Sequence, residues 1–362
     1  MIWQCAAIDH GLTVFPNGKI GPCCQISPDY LKPLDAFNDP DRFSDLRTEF
    51  PPAACEKCVK NEHEGLTSYR HFFNNYPAGE KKNVVFLDIR NTNLCNLKCR
   101  YCGPHFSNQW AKELNVPAAL VHTDITDILD HVLTHDLRWI YFTGGEPLIS
   151  TDHWGILSRL IDKGIANTIE LMYNTNLTSL KFKDFDFADV WSKFAGVNLS
   201  ISMDAIGSTF DGIRSGADWT LVEKNLDRLR SVKTGKIKLS VTCVISILNI
   251  WSLPELIRYC QSRDINLQFI ILQGPDYLAV DVIPDQLQKL AVSKIQQSLI
   301  LLDDPKLRRC QDLIMNNQNQ VLFRQCVAHI TLLDSVRGEH LFDQLPFRDI
   351  ALEMIAHNHE YE

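Results

Sequence analysis

The sequence predicts an α/β fold: a mostly parallel sheet with helices between its strands, a small cysteine-rich unit in front and a helical segment behind. Three observations carry this expectation. Six short β-type runs alternate with amphipathic helical patterns between residues 84 and 275, eight of the twelve cysteines fall before residue 103, and the pattern after Pro284 is mainly helical. Strand and helix alternating at such intervals imply βαβ units and a parallel sheet, in which ligands gather at the carboxyl ends of the strands. The expected division is 1–80, 81–275 and 276–362.

The first 80 residues are rich in Pro, Asp, Asn and Cys with short, broken periodicities. Such composition suits a loop-rich unit held by a metal rather than by a large core. The stretch "NNYPAGEKKN", 74–83, reads as the linker. The six strand runs are 84–90, 139–143, 169–174, 197–203, 237–247 and 266–272. Between them, "HWGILSRLIDKG" and "WTLVEKNLDRLRSV" space apolar residues at three and four, the period of an amphipathic helix. Two further helical patterns, "DQLQKLAVSKIQQSLILL" and "LPFRDIALEMIAHN", follow Pro284, and the closing His357 and His359 read as a solvated tail.

Composition narrows the function. A net charge of −8 gives no global basic field to recruit nucleic acid or an anionic membrane, so RNA modification finds little support. The start "MIWQCAAIDHG" has no basic, apolar signal pattern, and the longest uncharged stretch, 239–254, falls short of the ~20 apolar residues that span a bilayer. A soluble, cytoplasmic protein is expected. Twelve cysteines in such a chain point to metal or redox chemistry rather than disulfides. Cys243, Cys260, Cys310 and Cys326, scattered among apolar neighbours, read as small core residues.

Cys95, Cys99 and Cys102 begin just after the first strand run and lie on one tight loop. Zinc fingers and ferredoxin-like clusters both use such loops; a closed zinc site would need a fourth ligand, for which His105 is the local candidate. Downstream, the second strand runs directly into Gly144-Gly145-Glu146-Pro147. Glycines there permit close backbone approach, and Glu146 can accept hydrogen bonds from a bound ammonium.

Cys-x-x-x-Cys-x-x-Cys after the first strand, with Tyr101 before the third cysteine and Gly-Gly-Glu-Pro after the second strand, resembles the radical S-adenosylmethionine (SAM) superfamily. The resemblance runs from about Val84 to Pro275. It implies a partial (β/α)6 barrel and a [4Fe–4S] cluster on Cys95, Cys99 and Cys102, whose fourth iron takes the amino and carboxylate groups of SAM. It further implies reductive cleavage to a 5′-deoxyadenosyl radical that abstracts hydrogen from substrate, with an electron donor such as flavodoxin or ferredoxin. Tyr101 would pack by the adenine and Gly144, Gly145 and Glu146 would meet the amino group. Ser202 or Asp204 would reach ribose or carboxylate, and Arg214 would stand near SAM or substrate. Asn174 and Asn176 fall where the third strand should end. For the polar residues after Met203, turn and capping chemistry is the competing reading.

In the front unit, Cys55 and Cys58 form a Cys-x-x-Cys knuckle with Cys5 and the vicinal Cys23 and Cys24 upstream. Four thiolates can meet there around one metal centre, with structural zinc or a redox dithiol as alternatives. "TVFPNGKIGPCCQ" and "ACEKCVKNEHEGLTSYR" resemble the SPASM- or twitch-type modules of radical SAM proteins. The resemblance implies one auxiliary [4Fe–4S] cluster on Cys5, Cys23, Cys55 and Cys58, with Cys24 as a substitute for Cys23. Glu62, Glu64, Ser68 and Arg70 read as caps and pairs of the following helix or as substrate-facing groups. Asp334 and Arg337 read as a helical pair before a Gly338 stop. Members with this module commonly modify peptides or proteins, and others act on sugars and related small molecules. A peptide or protein substrate is placed slightly ahead of a small molecule, and a non-catalytic iron–sulfur or zinc scaffold is the reading from another class.

Overall fold

The computed structural model describes residues 4–75, 83–117, 119–232, 235–316 and 320–356. Most of the expected linker, together with His357 and His359, lies outside them. The strands are β1 (Gly11–Val14), β2 (Lys19–Gly21), β3 (Lys32–Pro33), β4 (Phe86–Ile89), β5 (Trp139–Phe142), β6 (Glu170–Thr175), the small hairpin β7 (Lys181–Phe182) and β8 (Phe185–Asp186), β9 (Gly196–Ser202), β10 (Ile237–Ile245) and β11 (Asn266–Ile271). Nine of them form one open sheet in the order β11-β10-β9-β6-β5-β4-β1-β2-β3, not closed into a barrel. From β11 across to β1 every pairing is parallel, and β2 and β3 add antiparallel. This is the α/β architecture of a partial (β/α)6 barrel with helical extensions.

Alternation along each strand separates two faces. Leu87, Ile89, Ile140, Phe142, Leu171, Tyr173, Val197, Leu199 and Ile201 are buried on the outer one. The crossover helices seal that face: Thr151–Asp162 buries Ile156, Leu157 and Leu160, and Trp219–Ser231 buries Val222, Leu226 and Leu229. The second helix starts where Asp218 accepts hydrogen bonds from the backbone N–H groups of Thr220 and Leu221, supplying orphan donors of the first turn with an acceptor. The crossover helix between β10 and β11, Leu253–Ser262, carries Pro254 in its first turn, where no intrahelical donor is lost.

The inner face is mixed. One row in register reads Asp88, Tyr141, Met172, Asn198; the row above it includes Asn174, Ser200 and Ser240. At its amino end this face is covered by the front unit: Ala7, Phe73 and Phe86 are buried together, with Cys5, Cys23, Tyr69, Phe72, Trp139, Tyr141 and Met172 packed on them. The front unit therefore both lengthens the sheet, through β1 against β4, and caps its inner face.

After β11 the chain is helical, through Asp285–Leu301, Pro305–Asn316, Gln320–Arg337 and Arg348–Ala356. Among the described residues no helix is long and apolar enough to cross a membrane.

Candidate active site

The cysteine loop leaves the carboxyl end of β4 and is pinned by the turn after β5. Gly145 N donates to Thr92 O at 3.1 Å and Glu146 N to Leu94 O at 2.7 Å. That contact is why glycine stands here: a Cβ on Gly145 would lie 1.9 Å from Leu94 O, and Gly144 has φ +106°. Glu146 is buried, and its carboxylate accepts from Leu148 N at 3.0 Å, Thr175 Oγ1 at 2.8 Å and Asn176 N at 2.7 Å. Burial nevertheless pushes its pKa up to about 7 against those hydrogen bonds. The Gly-Gly-Glu-Pro turn thus ties the cysteine loop to the ends of β5 and β6.

Within the loop, Leu97 N reaches Cys95 Sγ at 3.5 Å and the Cys102 thiol donates to Cys99, which lowers the pKa of Cys99 and raises that of Cys102. Burial pushes Cys95 up to about 12. Behind the thiols lies a buried polar triad: Tyr101 OH donates to Asp204 Oδ2 at 2.5 Å and accepts from Arg214 Nη2 at 2.6 Å, while Arg214 and Asp204 pair at 2.9 Å. Arg214 Nη1 also approaches Cys99 Sγ at 3.9 Å. Asp204 is fixed from the sheet, accepting from Val244 N at 2.8 Å. The structure therefore brings Cys95, Cys99, Cys102, Tyr101, Asp204, Arg214, Gly144, Gly145 and Glu146 together at one end of the sheet. Asn174 lies on the inner face beside Ser200, and Ser202 opposite Thr242. Asn176 instead bonds sideways, from Nδ2 to Asn96 Oδ1 at 3.0 Å.

The loop is also gripped from the chain's far end. Arg100, between two of the cysteines, is fully buried; it donates to Gly212 O at 2.7 Å and Ile330 O at 3.1 Å and pairs with Asp334 and with Glu339. Arg337 bonds Glu113 at 2.6 Å, Lys98 O at 2.9 Å and Ser215 Oγ at 2.8 Å. The expected Asp334–Arg337 helical pair is corrected here: each serves the cysteine loop or its neighbours. Gly338, with φ +64°, does end the helix.

In the front unit, Cys5, Cys23, Cys55 and Cys58 line one small cavity, beside Tyr69 and Arg70. Burial raises the pKa of Cys5 to about 12 and that of Cys23 as well. Cys24 is not on that cavity; its sulfur accepts from Gln25 Nε2 at 3.6 Å, and burial and Asp88 push it up to about 11. Glu62 takes Ser68 Oγ at 2.5 Å and Arg70 through Nε at 3.0 Å and Nη2 at 2.5 Å, so these residues cap and tie the helix Tyr69–Asn74. Glu64 pairs with Arg309 at 2.6 Å.

Among the described residues, no cluster of three His, Cys, Asp or Glu side chains stands in ready metal-holding geometry. The donor sets still fit iron–sulfur clusters in kind. Both consist of buried or half-buried thiols, three on one loop and four brought together from separate segments, and metal binding deprotonates such thiols.

Sequence reasoning missed Asp88, Arg90 and Arg100. The first two had a signal: Phe86, Asp88 and Arg90 alternate with Leu87 and Ile89, which puts charge on one face of an apolar strand. Arg100 had none, because its side-chain partners lie more than 100 residues away.

Much of this sheet and its cysteine loop fall in one matched segment: residues 89–260 match the family model described as the Radical SAM superfamily, and that segment is a radical SAM catalytic domain. Individual relatives resemble it more loosely. The pre-heme d1 synthase of Dinoroseobacter shibae is 29% identical over 191 residues, 52% of this chain and 43% of that protein. A GTP 3′,8-cyclase of Aliarcobacter butzleri is 24% identical, over 53% of this chain and 56% of that one. The 7-carboxy-7-deazaguanine synthase of Thermoplasma acidophilum is 28% identical over 27% of this chain and 43% of its own. The chain thus spans about half the length of the curated relatives it matches. Among solved structures, Streptococcus suis SuiB bound to S-adenosylmethionine aligns at TM-score 0.39 and 15% identity, covering 69% of this chain and 52% of that one.

Proposed function

We propose that the protein reductively cleaves SAM and abstracts hydrogen from a small polar molecule during the biosynthesis of a cofactor or natural product. The observation that carries the chemistry is the three-cysteine loop, clasped by Gly145 and Glu146 at the end of a parallel sheet and lying within the segment that matches the superfamily. A [4Fe–4S] cluster held by Cys95, Cys99 and Cys102 would supply the electron that breaks the C5′–S bond of SAM. The chain's own groups hold the pieces in place. Gly144 and Gly145 let backbone approach the ligand, and Glu146 offers acceptor capacity to an ammonium. Arg214, fixed by Asp204 and Tyr101, sets a positive charge beside Cys99. Asn174 and Ser202 face the inner side of the sheet and suit ribose or substrate contacts.

Sequence reasoning placed a peptide or protein substrate ahead. The relatives favour the small-molecule reading instead, since their names denote a pre-heme d1 synthase, a GTP 3′,8-cyclase and a 7-carboxy-7-deazaguanine synthase. The polar row Asn174, Ser200, Ser240 on the inner face agrees with a polar, hydrogen-bonding substrate. The division into a front cluster unit, a barrel and a C-terminal helical segment is part of the same proposal. So is an electron donor of the flavodoxin or ferredoxin kind. Cys5, Cys23, Cys55 and Cys58 would hold one auxiliary [4Fe–4S] cluster, with Cys23 favoured over Cys24 because it lines the cavity.

Anaerobic reconstitution tests both sites at once. We expect roughly eight irons per chain and 5′-deoxyadenosine from SAM on reduction. Cys99→Ala should abolish the product, and Cys55→Ser should lose about half of the iron. SAM cleavage that persists in Cys99→Ala, or about four irons accompanied by stoichiometric zinc, would contradict the respective assignment.

A further inference from the structure

One cation on the inner face has no part in any role above. Arg90 stands two residues beyond Asp88 on the same side of the chain, past the carboxyl end of β4, where its backbone N–H donates to Val14 O at 3.1 Å. Its Nε donates to Asp88 Oδ1 at 3.0 Å and its Nη2 to Oδ2 at 2.8 Å. The Asp88 side chain is 1% exposed whereas that of Arg90 retains 23%, so the pair is sealed at the carboxylate and open at the guanidinium. A guanidinium carries its donors in a planar fork, and a side-on pair along Nε and Nη2 leaves the far edge, Nη1 with the second Nη2 hydrogen, unspent. Among the described residues no acceptor meets Nη1. The paired bonds to Asp88 orient the fork, and the rings of Phe15 and Tyr141 flank it at 5.9 and 6.0 Å from Cζ.

The surroundings say what such an edge could hold. On the side toward the amino ends of the strands, Tyr69, Phe72 and Phe73 cover Phe86 and Tyr141, with the front cysteines Cys5 and Cys23 packed beside them. On the other side begins the loop of Cys95. Along the register, one step past Tyr141 and Met172, stand Thr143, Asn174, Ser200 and Ser240, which are neutral hydrogen-bonding groups. Lys238 is exposed near the amino end of β10, in the row of Met172 and Asn198. Among the described residues, Arg90 is thus the cation that these strands present at the carboxyl end of this face.

We propose that Arg90 anchors an oxyanion of the substrate, a carboxylate or a phosphate, in the space between the Cys95 loop and the front cysteines, with Asn174 and Ser200 facing the rest of the molecule. This rests on the small-molecule reading and narrows it to organic acids and phosphate esters. Asp88 is a positioning residue: it holds the fork's near edge so that the far edge is aimed. Arginine suits the task because its fork matches two oxygens at once, which a lysine ammonium cannot do.

The test uses the full chain, reconstituted, with nitrogen-15 arginine and asparagine side chains observed by NMR during titration with sodium acetate and, separately, inorganic phosphate. The Arg90 resonance is assigned by its disappearance in Arg90→Lys, a variant that keeps a cation for Asp88 and whose folding is checked by its melting curve. We expect saturable shifts of the Arg90 Nη and Asn174 amide signals. In Arg90→Lys the Asn174 response should need about tenfold more anion. The tighter of the two anions identifies the oxyanion. No saturable shift at Arg90 with either anion, shifts of equal size at every guanidinium, or an Asn174 response unchanged in folded Arg90→Lys overturns the anchor. SAM cleavage is measured on the same preparation. Cleavage without anion binding removes the anchor alone, whereas anion binding without cleavage removes the radical reading on which it rests.

Discussion

Gly145 shows how little room the cysteine loop has. Any side chain there would overlap Leu94 O, and backbone cannot yield as a flexible side chain can. Gly145→Ala should therefore push the loop off β5 at an overpacking cost of about 1–3 kcal/mol. The expected result is a folded protein with lower iron retention and at least about tenfold less 5′-deoxyadenosine, read by iron analysis and product assay. His153 gives a second residue-scale prediction. It is buried among Phe142, Tyr173 and Phe187 with Nε2 and Tyr173 OH 2.9 Å apart, and burial lowers its pKa from 6.5 to about 3. Below pH ~6.5 the unfolded chain gains a proton there that the folded chain refuses. Its contribution is thus complete above that pH and is lost on acidification toward pH 3, at up to about 1.4 kcal/mol per pH unit. Urea unfolding between pH 5 and 8 should show this slope in the wild type and a flatter one in His153→Phe.

At the scale of elements, the grip of the helix Gln320–Arg337 on the cysteine loop is the feature with most at stake. Arg100 is a buried cation, tolerable only while Asp334, Glu339 and two carbonyls surround it. Asp334→Ala removes one counter-ion and also the acceptor of Phe342 N at 2.8 Å. Leaving such a charge underpaired costs about 3–5 kcal/mol, and a lower urea midpoint should reveal it. This network was illegible in the sequence, because an i, i+3 spacing offers a local partner while the true partners are set by tertiary packing. The parallel strands, by contrast, were legible. All six runs became strands, since each alternates or stays apolar between clear helical segments. β1 to β3 were missed: they are two to four residues long and lie among prolines and glycines, where a period of two cannot declare itself.

For the molecule as a whole, the cysteine trio and the Gly-Gly-Glu-Pro turn were readable because their spacing is local, and the sheet brings them together as expected. How the front unit meets the barrel was not readable, since it depends on β1 lying parallel to β4 and on Phe73 meeting Phe86. That junction makes a whole-molecule prediction. Deleting residues 1–75 would bare the edge of β4 and uncover Phe86, Trp139 and Tyr141, and unprotected strand edges seek other chains. The truncated chain should be recovered as aggregate rather than as a smaller monomer, which size-exclusion chromatography and light scattering can decide.

The shared sheet across β1 and β4 has a last consequence, for electrons rather than for folding. Hydrogen bonds laid rung by rung between the two units leave no hinge there, so the gap separating the two groups of thiols is set by backbone rather than by a tether. Any charge exchanged between them would cross a fixed span, with a rate that does not wait on domain motion.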